Sequence, residues 1–228
     1  MSKEKVFLVA AIACLLNHGP SLNFDSDYAA AEPELRHRTL RVGPKESLSQ
    51  PSMAASIAQD GDVIEIDAGT YEADAVVWTQ NNLILRGIGG RARLIAKGAH
   101  AEGKAIWVIK GNNTIVENIE FTGATVPLGN GAGIRQEGAD LTVRNCYFHF
   151  NQNGILTAPN PKSDILVESS EFSNNGNGEG NTHNIYIGTV RSFTLRASYV
   201  HHARVGHNVK SRALTNYILY NRIMDEDT

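Results

Sequence analysis

Two dipeptides, His183-Asn184 and His207-Asn208, lie 24 residues apart, and two cations follow the second at Lys210 and Arg212. Imidazole, amide, ammonium and guanidinium groups together suit chemistry on a carboxylated substrate. Cleavage of a uronate-containing glycan by β-elimination needs a base for the proton alpha to the carboxylate, and a partner for the carboxylate itself. Lys210 is the candidate base, with His207 and Arg212 beside it. His183, Asn184, Asn208 and Arg135 are candidates for holding substrate. Trp78, Trp107 and Tyr186 would offer flat faces to sugar rings while keeping a polar edge wet. The loops Ser173–Thr182 and His201–Gly206 enter this region, and loops on a regular scaffold are where binding and catalysis concentrate. A stack of His and Asn at a turn is equally compatible with a structural role.

These residues need a scaffold that brings distant stretches side by side, and an internal repeat supplies one. Between Asn112 and Asp225 a short pattern returns five times: apolar, any, apolar, any, small polar, then an apolar residue three positions on. Val116, Val143, Val167, Leu195 and Leu219 mark the copies, at spacings of 27, 24, 28 and 24 residues. Within each copy the apolar positions alternate at period two, which is strand periodicity. No copy has room for a crossover helix, so a βαβ unit is excluded. Strands at this spacing coil and stack on their counterparts one turn away, which gives an all-β, right-handed parallel β-helix. Asn118, Asn145 and Asn221 suit the bend, because Asn tolerates left-handed backbone.

A further strand precedes each repeat. Aligning its inward residues as Val77, Ile106, Ile134, Ile155, Ile185 and Val209 places Trp78, Trp107, Arg135, Leu156, Tyr186 and Lys210 outward in one row. That row depends on the alignment, since a slip of one residue reverses every side chain.

With 228 residues, 42% of them hydrophobic, the chain can bury one sizeable core. A net charge of −3 argues against nucleic acid as the main partner. Lys3 and Lys5 precede the apolar run Val6–Leu16, too short to span a bilayer, so residues 1–31 read as an export signal and linker. Cleavage before Glu32 would suit Ala29-Ala30-Ala31, and a buried N-terminal helix is the alternative. A secreted or periplasmic monomer is expected. Removal of the signal would leave Cys146 as the one cysteine, packed inward where other coils carry Ile119, Ser170 and Ser198.

Thr39–Val42 reads as a first strand, and residues 51–58 as a helix capping the open end of the solenoid. The run from Ala54 through Gly61-Asp62-Val63-Ile64-Glu65-Ile66 to Gly69-Thr70-Tyr71 resembles the opening of the pectate-lyase-like superfamily, and the later repeats extend the resemblance over residues 39–228. It implies the β-helix fold but no single activity, because that superfamily includes lyases, hydrolases, esterases, epimerases and non-enzymes. Asn208-Val209-Lys210-Ser211, with Asn216-Tyr217 and Asn221, also resembles the alginate lyase and chondroitinase B family. There an Asn-Lys-Ser strand carries the base lysine, which points to Lys210. Here Val209 interrupts that strand, and the family's Arg-His-Gly segment does not appear before the sequence stops. The stop at Asp227-Thr228, directly after a repeat strand, suggests a chain truncated at its C-terminus.

No acidic cluster of the kind calcium needs is evident, so calcium is left as an unsupported cofactor and no metal site is assigned. Zinc spacing, paired carboxylates, a nucleophile elbow and a phosphate loop are also missing. The expectation is therefore an exported protein that acts on an acidic polysaccharide, most simply as a lyase. A non-catalytic carbohydrate-binding module, or a hydrolase or epimerase on the same fold, is the alternative.

Overall fold

The computed structural model describes residues 37–225; the expected export signal lies outside the described residues. The chain winds into a parallel β-solenoid of about eight turns. The first wall is a six-stranded parallel sheet formed by Val76–Trp78, Ala105–Ile109, Ala132–Gln136, Asn153–Thr157, Ile185–Ile187 and Val209–Ser211. The second and third walls belong to one 13-stranded sheet. They join because Ile84–Ile95 pairs with Thr114–Glu117 through its first half and with Ile119–Thr122 through its second. The second wall continues through Leu141–Arg144, Asn160–Glu168, Val190–Arg196 and Thr215–Leu219. The third continues through Tyr147–His149, Glu171–Ser173, Tyr199–His201 and Arg222–Met224.

The corner between these two walls requires left-handed backbone at one residue per turn. Asn118, Asn145, Ser169, Ala197 and Tyr220 occupy it, at φ between 48° and 58°. Asn145 donates from Nδ2 to Asn118 Oδ1 at 3.1 Å, so the corner carries a short amide ladder. The next position points inward and is also bonded from turn to turn. The Cys146 N–H donates to Ser170 Oγ at 3.1 Å, that of Ser170 to Ser198 Oγ at 3.2 Å, and that of Ser198 to Asn221 Oδ1 at 2.9 Å. Asn221 therefore belongs to this inward row and not to the bend. The last repeat is shifted by one residue from the sequence alignment, with Leu195 opposite Ile218. Cys146 is buried as expected, and that burial pushes its thiol up to about 12.

Apolar ladders fill the interior. Phe121, Phe148 and Phe172 stack face to face, with centroids 4.8 and 4.7 Å apart. Trp107 meets Phe121 edge-on at 5.1 Å, and Trp78 meets Trp107 at 5.5 Å. Both indoles are 0% exposed, which corrects the outward placement read from the sequence. The register pairs Val77 with Val108 and Val108 with Arg135, so the inward position in each of the first two coils lies one residue away from the one expected. The segment expected to be helical forms a short helix at Pro51–Ala55 with Pro51 and Ala54 buried. It packs against Thr39–Val42 and Val76–Trp78.

Candidate functional site

The outward row of the first wall is Val77, Val108, Arg135, Leu156, Tyr186 and Lys210. Its last four members are those expected from the sequence. Parallel pairing sets them about 4.8 Å apart along the solenoid axis. Tyr186 is the centre of the cluster. Lys210 Nζ lies 5.3 Å from its ring centroid and Arg212 Cζ 5.7 Å, both within cation–π range. The His183 ring stacks against it at 5.7 Å and 21°.

Two loops hold the histidines. Gly206, at φ 128°, lies so close to the neighbouring loop that a Cβ would sit 2.0 Å from the Thr182 carbonyl oxygen. Gly176, at φ 130°, meets the Arg204 carbonyl oxygen in the same way at 2.4 Å. These two approaches lock the loops together and bring His207 onto His183. The His207 N–H donates to His183 Nδ1 at 3.1 Å, and the His183 N–H donates to Asn153 Oδ1 at 2.9 Å. His183 is only 1% exposed. Burial, then the nearby charges of Lys210 and His207, lower its pKa to about 4. It is a neutral support behind Tyr186, out of reach of a ligand on the surface, whereas His207 lies at the exposed rim.

The two asparagines have a different task. Asn184 is 0% exposed and its amide is fully used. Its Nδ2 donates to the His201 carbonyl and to Asn208 Oδ1, both at 2.7 Å, and its Oδ1 accepts from the N–H and Nδ2 of Asn175. Asn208 Nδ2 donates onward to Asp225 Oδ1 at 2.8 Å. With Asn151 bonded to Asn175, they form an amide ladder along the loop-side edge of the core. The carboxylate-binding role expected of Asn184 is therefore closed by burial, and the amide of Asn208 is already committed to the ladder. The same burial removes Trp78 and Trp107 as sugar platforms. What remains at the surface is Tyr186, Lys210, Arg212, His207 and, further along the row, half-buried Arg135 with Glu137 at 3.6 Å.

The third wall carries a second group of polar side chains, outside the candidates expected from the sequence. His149 Nε2 meets Glu120 Oε1 at 2.9 Å and Arg93 Nε meets the same carboxylate at 2.8 Å. Two turns on, His201 Nε2 meets Glu171 Oε1 at 3.3 Å, and His201 and His202 face each other through Nδ1. Each histidine stacks on the tyrosine of its own strand, His149 on Tyr147 and His201 on Tyr199. Tyr-Phe-His at 147–149 and Tyr-Val-His at 199–201 occupy the same repeat slot, a signal that was readable in advance. Ser173 lies in register with His201, but it is buried and bonded to the Tyr147 hydroxyl, so it offers no exposed nucleophile. Among the described residues, no three His, Cys, Asp or Glu side chains come together as a metal site. No helix among them is long and apolar enough to cross a membrane.

A family model described as "Right handed beta helix region" matches residues 73–184 and 96–227, together more than half of the chain. The chain belongs to the right-handed beta-helix family. Solved structures share its coil. Pectin methylesterase from Aspergillus niger superposes with a TM-score of 0.52 at 13% identity, covering 78% of this chain and 58% of that one. A pectin methylesterase in complex with a hexasaccharide gives 0.54 at 14%, covering 82% and 66%. Escherichia coli ybhc gives 0.53 at 14%, covering 95% and 72%. This beta-helix chain spans less than two thirds of the length of the two pectin methylesterases. At such identities the likeness is one of fold. No curated protein matches the sequence.

Proposed function

We propose that this beta-helix protein is exported and acts on an acidic, uronate-containing polysaccharide at the outer face of its first wall, with Lys210 as the base of a β-elimination. The observation that carries the reading is the convergence of Lys210 and Arg212 on the exposed side of Tyr186, in the same outward row as Arg135. Guanidinium groups suit a carboxylate because their N–H donors match its geometry. In the proposed step Arg212 holds the carboxylate and Lys210, unprotonated at that moment, removes the neighbouring proton. The electron pair left on that carbon forms the new double bond, and the glycosidic oxygen leaves as an alkoxide that takes up a proton. Relatives of the same fold that bear pectin in their names support a polysaccharide as the substrate class.

Incubation with alginate, pectate and glycosaminoglycans, followed by ultraviolet absorbance of the unsaturated product, tests this reading. Lys210→Ala is expected to lower the rate by about 10²-fold or more, the usual range for a lost general base. Unchanged eliminase activity in that variant would remove Lys210 from the reaction. A non-catalytic binding module is the second reading. It is favoured by one observation: the amides expected to hold the carboxylate are committed to the core ladder, which leaves a cationic surface better equipped to bind than to react. Binding without any absorbance change would select it.

A further inference from the structure

The outer face of the first wall is open only along part of its length. Val108 points outward in the same row as Arg135 and Lys210, yet it is 0% exposed. The segment 96–104 lies over it. Ala101 packs with Val108, Ala105 and Ala132 in a small apolar cluster of its own, and half-buried Val77 and Leu156 pack at its edges. The segment folds back on itself through an antiparallel bridge between Ala101 and Ala105, and the Gly103 N–H donates to His100 Nδ1 at 3.0 Å. Ion pairs fasten it to the wall, from Lys104 to Glu137 at 2.8 Å and from Glu102 to Lys110. Beyond it the open row among the described residues is Arg135, Leu156, Tyr186 and Lys210, three strand spacings or about 14 Å.

We infer that this surface takes the end of an acidic glycan chain and not its interior. The inference rests on the acidic-glycan reading above and adds a substrate preference to it. Cations spaced along the solenoid axis direct a bound chain along that axis. A chain laid over Lys210 and Tyr186 and continued past Arg135 meets the 96–104 segment at Val108. It must therefore terminate there, and a lyase with this face shortens chains from one end.

Light scattering during titration of pectate and alginate fractions, from trimers to the parent polymers, counts protein molecules bound per chain. The number is expected to stay the same as chains lengthen, with trimers competing fully against polymer. A number that rises in proportion to length overturns the inference and leaves the glycan reading intact. An absence of binding to every fraction rejects both together. Ala101→Asp sets a carboxylate against the apolar cluster, where it lacks a partner, and lifts the segment. In that variant the bound number is expected to grow with chain length, and a number as constant as in the wild type overturns the role given to the segment. The wild-type titration decides the inference by itself if the variant proves unstable.

Discussion

His183 connects the site to the stability of the fold, because its pKa of about 4 lies well below the ordinary value of 6.5. Above about pH 6.5 the imidazole is neutral in folded and unfolded chains alike and contributes no pH dependence. Between about 6.5 and 4 the unfolded chain binds a proton there that the folded chain refuses, so stability falls as pH falls. The loss attributable to this one group approaches about 3 kcal/mol near pH 4, at 1.36 kcal/mol per pKa unit. His183→Gln removes the titration. Urea unfolding across this window should show a shallower loss of stability in the variant than in the wild type, and parallel curves would show that His183 does not resist protonation. The residue scale is also where sequence reading was weakest. In Val76-Val77-Trp78 both phases are apolar, so hydrophobicity could not decide which face was inward. Val77 and Val108 look like core residues because the 96–104 segment covers one of them. Asn184 looked like a ligand-binding amide because nothing in the sequence shows that all four of its hydrogen bonds are taken.

Element by element, the repeat was legible wherever a strand alternates cleanly. Ile115 to Glu117, Leu141 to Arg144 and Ile165 to Glu168 pair as their spacing required. The fourth slot of each copy holds a further device. Arg41, Glu65, Arg86, Glu117, Arg144, Glu168 and Arg196 are successive partners along the outer face of the second wall, with the sign of charge alternating at every step. A slip of one residue would turn these side chains into the core, so the ladder specifies register as well as adding attraction. Glu168 bridges two guanidinium groups, those of Arg144 and Arg196. Burial opposes its ionisation, but the two cations outweigh that and lower its pKa. Glu168→Gln is expected to cost about 1 kcal/mol, because its partners are well exposed and such pairs are screened by solvent. The cost should shrink in high salt. A neutral or stabilising substitution, measured by urea unfolding at low salt, would show that the ladder contributes nothing to stability.

For the whole molecule, the solenoid explains why residues 135, 186 and 210 become neighbours, since each turn returns the chain to the same wall. The N-terminal coils of that wall are closed by the 96–104 segment, and the coils that follow are lined by cations around one tyrosine. The second wall offers a rival surface, a groove of about 570 Å³ lined by Ile115, Thr142, Leu166 and Thr194 with Asp140 and Asp164 at its rim. Asp164 there is paired with Arg191, which holds its carboxyl down to about 2, and Arg196, which also lines the groove, is paired with Glu168, so the cations on that side are already matched by carboxylates of the protein. The most direct test is a crystal structure of the protein with a uronate hexamer. The sugar is expected on the first wall, with a carboxylate paired to Arg212, Lys210 beside the carbon alpha to it, a ring beside Tyr186 and the chain end toward Arg135. A hexamer lying in the second-wall groove, with the Lys210 face bare, would contradict the account.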